Sequence, residues 1–410
     1  MARTVYLHVG LPKSGTTYLQ AVLGENKARL ADRADVLYPG ANWVAQVHAV
    51  RDVLAANPHG SRSAGTEGAW QRLVDEMAAW HGDAVVSMEW LGSADPDQAR
   101  HVVASLAPAH VEVVVTVRDL ARTLPAAWQE FVQNWEQWSW AEFLASVTSE
   151  NPRGTPAGDL FWSQQDLGRL LAIWTDVLPP AQVHVVTLPR PGATAGELWT
   201  RFAQVLGIDG SGFDASGRGS NESLGLESAE VMLRLNTLSR TRGMDWPLYD
   251  EMFKHALAKR GLSKRKHQES SLLVPTEYEE WTRARSAEMV QAVESSGAQV
   301  TGDLGDLEPV FGVGGRQPDQ LASADLLDAA VDGLVAVAQD RGRELETLRR
   351  RNGDLRERVR RLERLLDAQR QAAESPTLRA SLVGLSERHG WAMTARRAYV
   401  VGKRALRRTQ

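Results

Sequence analysis

Apolar positions along this chain keep two periods. Four short runs are β-rich: Thr4–Gly10 (TVYLHVG), Asp83–Met88 (DAVVSM), Val111–Val117 (VEVVVTV) and Gln182–Leu188 (QVHVVTL). Val111–Val117 is apolar at nearly every position, the pattern of a strand buried on both faces of a parallel sheet. Between the runs, apolar residues recur at helical spacing, as over 66–81 and 162–177, and helices there supply the crossovers that parallel strands require. The predicted fold class is α/β, a parallel sheet flanked by helices. Its core falls in residues 1–211 of a domain spanning 1–315. Asn151–Asp159 (NPRGTPAGD) reads as a loop by its proline and glycine content, either a plain surface connection or a lid over a bound substrate. Trp128, Phe131, Trp135 and Trp138 follow helical spacing, with Trp140 just beyond. They read as core packing, with pocket lining as the alternative.

Beyond the sheet region, glycine and serine over 207–221 mark a linker or loop. Residues 220–300 read as mainly helical, and the basic run Lys259–His267 within them reads as a solvated face. A third region, 319–372, carries heptads. With Val331 at position a, Ala338, Leu345, Asn352, Val359 and Leu366 follow at a, and Leu334, Arg341, Leu348, Leu355, Leu362 and Gln369 fall at d, most of them apolar. The expectation is a coiled coil forming a homodimer, with Asn352 as a register-fixing polar residue; the alternative is a long helix folded back on its own domain. The segment 373–410 is a basic tail. Such a segment suits an anionic membrane surface or an acidic partner, and equally suits disorder.

Composition narrows the classes. The chain has 410 residues, 43% hydrophobic and 24% charged, as in an ordinary soluble globular protein. It has no cysteine, which excludes disulfides, a thiol nucleophile and cysteine-ligated metals. The formal net charge of -4 argues against general nucleic-acid binding. The first residues lack the apolar stretch of a secretory signal, and no segment approaches the roughly 18 apolar residues of a membrane span. A cytoplasmic location is expected.

The candidate chemistry lies in Leu7–Gln20, LHVGLPKSGTTYLQ. A nucleotide-triphosphate loop reads G-x-x-x-x-G-K-[ST]; Gly10 and Gly15 keep that spacing, but Thr16 stands where the lysine belongs and Lys13 stands three residues early. A strand, a glycine turn and a helix starting near Thr16 bring helical N–H groups and the positive end of the helix dipole to one point. Ser14, Thr16 and Thr17 add hydroxyls and Lys13 a mobile charge. The expected fold is thus P-loop-like. The displaced lysine weakens the case for metal-dependent phosphoryl transfer, as does a second strand ending in Glu89 where a metal-holding aspartate is sought.

PKSGTTYL (Pro12–Leu19) resembles the phosphosulfate loop of sulfotransferases that use 3′-phosphoadenosine 5′-phosphosulfate, P-K-[ST]-G-T-[ST]. VVVTVRDLARTLPAAW resembles their 3′-phosphate element: a strand ending in an arginine, Arg118, followed by Asp119 and a helix. Eight residues beyond Arg118, where that family carries a serine, stands Ala126. The resemblance covers about Thr4 to Pro189. It implies a sulfotransferase moving a sulfuryl group to a hydroxyl or amine of a glycan, lipid or small metabolite, with the phosphosulfate nucleotide as co-substrate and no required metal. It implies Lys13, Ser14, Gly15, Thr16, Thr17 and Arg118 as nucleotide contacts. The family often closes the nucleotide with a basic, glycine-containing segment, which puts forward Arg218 and Asn221; Arg122 and Thr123 are further candidates. Without a ligand, Gly217–Gly225 reads as a polar linker in which Asn221 or Ser223 caps the next helix.

Sulfuryl transfer needs alignment and a donor at the leaving oxygen, a role for Lys13, and a base for the acceptor proton. Glu89 and His48 compete for that base. Glu89 follows a strand at its carboxyl end, and His48 follows the first helix. Otherwise Glu89 is a structural carboxylate and His48 a half-buried helix residue. Two other functions fit the same letters: a magnesium-dependent P-loop kinase or nucleotide triphosphatase, and a non-catalytic nucleotide-binding scaffold dimerised by the coiled coil.

Overall fold

The computed structural model describes residues 1–54, 66–217, 223–374, 381, 383–384 and 387–406. Arg218 and Asn221 lie outside the described residues. The chain divides into two compact units, 1–338 and 339–410.

In the first unit six strands form an all-parallel sheet: β1 (Thr4–Gly10), β2 (Val36–Leu37), β3 (Asp83–Ser87), β4 (His110–Val117), β5 (Val183–Thr187) and β6 (Gln299–Thr301). Their order is β2-β3-β1-β4-β5-β6. The all-apolar run settles as expected, with Val113, Val114, Val115 and Val117 fully buried. From β1 the chain winds toward one edge, and from β4 toward the other. The crevice at the carboxyl ends of β1 and β4 is therefore the switch point where open α/β sheets receive ligands. The β1–β4 register shifts between His8 and Gly10, an irregularity of the kind that re-aims a strand end.

Helices cover both faces. Those used below are α1 (Thr16–Glu25), α2 (Trp43–Val53), α3 (Leu120–Gln133), α4 (Pro156–Gln165), α5 (Leu226–Thr241), α6 (Glu279–Ser296), α7 (Ser323–Glu374) and α8 (Gly390–Leu406). The aromatics are core, but the helical stripe is interrupted: Trp128 and Phe131 are buried on α3, whereas Trp135 and Trp138 lie past its end at Gln133, where Trp135 takes a left-handed φ of +76° and stacks on Tyr249 with ring centroids 4.6 Å apart. The segment expected as a loop, 151–159, is a connection with one 3-10 turn (Pro152–Gly154) up to Thr155, and its last four residues begin α4. Thr155 caps it through a bond from Gly158 N–H, and Pro156 occupies the first turn, where its missing N–H costs nothing. Two strands went unread. β2 is two residues long and β6 three, too short for a period to register.

The first unit extends to Ala338, because Leu326 and Ala329 of α7 pack on Val231 of α5. Among the described residues no helix is long and apolar enough to cross a membrane.

Candidate functional site

Three neighbouring strands, β3, β1 and β4, deliver Glu89, Lys13 and Arg118 to the same end of the sheet. The turn between β1 and α1 is shaped by backbone few residues tolerate: Gly10 has φ +112°, Lys13 φ +65° and Gly15 φ +88°. A Cβ at Gly15 would also meet the tip of the Leu198 side chain at 2.4 Å and displace it, so the left-handed backbone is the main reason for glycine there. With Gly15 as its N-cap, α1 begins without any side chain on its first N–H groups. These are the donors an anion would accept from.

The loop rests on a buried polar floor that the sequence reading did not assemble. Ser14 faces inward: its Oγ bonds the Leu11 carbonyl and lies 2.6 Å from Thr116 Oγ1. His8, fully buried in β1, contacts Ser87 Oγ at 2.8 Å through Nδ1 and Thr116 Oγ1 at 3.0 Å through Nε2. Burial holds this imidazole down to about 3, so it is neutral and its two nitrogens link β3 to β4 beneath the loop. Gln165 of α4 donates to the Pro12 carbonyl at 2.9 Å and fixes the loop from above. Thr16 is buried and Thr17 exposed at the start of α1.

Lys13 extends its ammonium to Glu130 of α3, 2.7 Å away. Desolvation pushes the Glu130 carboxyl up, but Lys13, with help from Lys254 and Lys259, outweighs it and holds Glu130 below the ordinary carboxylate range. Arg118 donates from Nη1 to the Lys13 carbonyl at 3.3 Å, and its Nε is buried without a partner. Burial and the neighbouring Arg122 hold Arg118 down to about 10, still a cation at neutral pH. Arg122 bonds Asp119 and the Pro189 carbonyl, yet its Nη2 is likewise buried and unpartnered. Two orphaned guanidinium nitrogens at the crevice are a deficit that an anion would remove. Thr123 is buried and donates its hydroxyl proton to the Asp119 carbonyl at 2.8 Å.

Arg122, Ala126 and Glu130 fall four residues apart on α3 and all three are part-exposed. Ala126 therefore stands on the helix face that carries Lys13's partner, where a hydroxyl would have faced the same crevice.

Glu89 sits in the turn after β3, so close that a Cβ on Gly10 would meet its Cβ at 3.3 Å. Gln20 of α1 donates to Glu89 Oε2 at 2.9 Å. Burial pushes the Glu89 carboxyl up, offset in part by hydrogen bonds and by Lys13. Beside it, the buried Tyr38 hydroxyl has no partner and feels the Glu89 charge. His48 is half-buried on α2, and among the described residues no hydrogen bond ties it to the loop or to Glu89. The segment leading into 218 is docked on α1: Tyr18 bonds the Ala215 carbonyl at 2.8 Å and Asn26 bonds Asp214 in both directions.

No known family model matches this chain, and no curated protein matches it.

Proposed function

We propose that the protein is a sulfotransferase that takes a sulfuryl group from 3′-phosphoadenosine 5′-phosphosulfate and passes it to a hydroxyl or amine of a small-molecule, lipid or glycan acceptor. The observation that carries this reading is the pairing of an uncapped α1 N-terminus with a lysine placed ahead of it and unsatisfied arginine nitrogens across the crevice. A nucleotide with phosphate groups at both ends of its ribose is what such a divided set of donors fits. On this reading the P-loop-like turn holds the 5′-phosphate through the N–H groups of Gly15, Thr16 and Thr17. Arg118 and Arg122 hold the 3′-phosphate in place of the serine absent at Ala126.

The chemistry assigned to the chain is modest. The acceptor oxygen forms a bond to sulfur as the bond from sulfur to the bridging phosphate oxygen breaks. Lys13 neutralises charge at that leaving oxygen, and its Glu130 contact holds the ammonium until the nucleotide arrives. Glu89 takes the acceptor proton, its raised affinity for protons suiting it better to a base than an ordinary carboxylate. His48 is set aside as the base because nothing orients it toward the crevice. The direct test is ligand preference, metal-free 3′,5′-adenosine bisphosphate against magnesium–ATP, in the wild type and Arg118→Ala.

We further infer a homodimer through a coiled coil over 319–372. Leu345, Leu348, Leu355, Val359, Leu362 and Leu366 of α7 are all more than half exposed in the single chain. They repeat at a and d positions, and a second copy of the same helix is the simplest cover for such a seam.

A further inference from the structure

The residues 250–259 bring a second set of positive groups to the α3 side of Lys13. Asp250–Lys259 is wound as a π-helix, an uncommon conformation found disproportionately at functional sites, and it packs on α3 and α5. Lys254 is held loosely, 3.6 Å from Asp250 and 5.5 Å from the Trp246 ring centre. Lys259 is half-buried and has no ion-pair partner among the described residues. Burial, and after it the nearby Lys254, hold its ammonium below the ordinary lysine range against the pull of Glu130 and Asp250. Both lysines lie near enough to act on Glu130, and Glu130 with Lys13 remains part-exposed.

Position separates this group from the arginine end of the crevice, while Lys13, on Glu130, lies between the two. Glu130 is about 15 Å along α3 from its first residue, at a rise of roughly 1.5 Å per residue, whereas Arg118 and Arg122 flank that first turn. A phosphate held at the arginine end does not also satisfy Lys259.

We propose that Lys259 and Lys254 form an anion-holding subsite for the acceptor, so that the molecule receiving the sulfuryl group carries its own phosphate, carboxylate or sulfate. This rests on the sulfotransferase reading for the word acceptor, but not for the binding itself. The test is calorimetry on the full chain, saturated with 3′,5′-adenosine bisphosphate where that binds, using glucose 6-phosphate and glucuronate as charged probes and glucose as the neutral one. The expected result is that the charged sugars bind and glucose does not. Lys259→Ala and Lys254→Ala weaken the charged sugars at least tenfold, Lys259→Arg retains them, and bisphosphate affinity stays within twofold in all three variants, which also reports their folding. Equal binding of charged and neutral sugars, or undiminished binding in Lys259→Ala, overturns the subsite. Charged-sugar binding that depends on Lys259 in a chain that ignores the bisphosphate upholds the subsite and defeats the sulfotransferase reading.

Discussion

On the proposed sulfotransferase reading, Lys13 is the residue on which the transfer chemistry turns. Removing it in Lys13→Ala takes away the donor at the leaving oxygen, and turnover is expected to fall by roughly 10²–10³. Nucleotide affinity falls much less, because the α1 N–H groups remain; steady-state turnover set beside calorimetry separates the two effects. Glu89→Gln keeps a group for Gln20 to contact but cannot accept a proton, and loses about 10²–10⁴ in rate. The pH dependence carries the same signature. Burial raises the Glu89 carboxyl, so its basic form, and with it the rate, appears only as pH climbs through a midpoint above the ordinary ~4.3 of glutamate. Glu89→Gln abolishes that rise, and a variant within threefold of wild type removes Glu89 from the role. Lys13 and Glu89 were readable from one strand–turn–helix spelling and one strand end. Glu130, Lys254 and Lys259 were not, because an exposed acid on an aromatic helix and a basic run both read as solvent-facing until the tertiary contacts are known.

The element that sets the site is the β1–turn–α1 unit, and its stability rests on the His8 floor. Neutral His8 in the folded state meets an unfolded histidine that protonates near 6.5. As pH falls from there toward about 3 the unfolded chain binds a proton that the folded chain does not, so folding loses about 1.4 kcal/mol per pH unit from this group. Urea unfolding at pH 7.5 and pH 5 tests it: the stability advantage of wild type over His8→Gln shrinks by about 2 kcal/mol between them. A gap that does not change with pH contradicts the assignment. At this scale the sequence was legible where elements are long and periodic. The four runs named from the pattern are strands, and the aromatic stripe is core, while the start of α4 hid behind a proline and a glycine that cap a helix as readily as they bend a loop. The network under the turn was closed to the same reading. Ser87, Thr116 and Ser14 are distant in sequence and meet through the strand order alone.

At the scale of the whole molecule, the exposed heptad seam of α7 predicts a dimer. Leu355→Asp with Leu362→Asp places charges on two d positions, leaves residues 1–338 untouched, and is expected to give monomers by sedimentation velocity where wild type gives dimers. A variant that stays dimeric refutes the coiled coil. The central claim, that the crevice between β1 and β4 was built for a phosphosulfate nucleotide, is decided by titrating the full chain with 3′,5′-adenosine bisphosphate and, separately, with ATP plus magnesium. The expected result is metal-independent bisphosphate binding, weakened roughly 10–100-fold in Arg118→Ala by loss of charge-assisted hydrogen bonds. Preference for magnesium–ATP, or bisphosphate binding indifferent to Arg118, contradicts it.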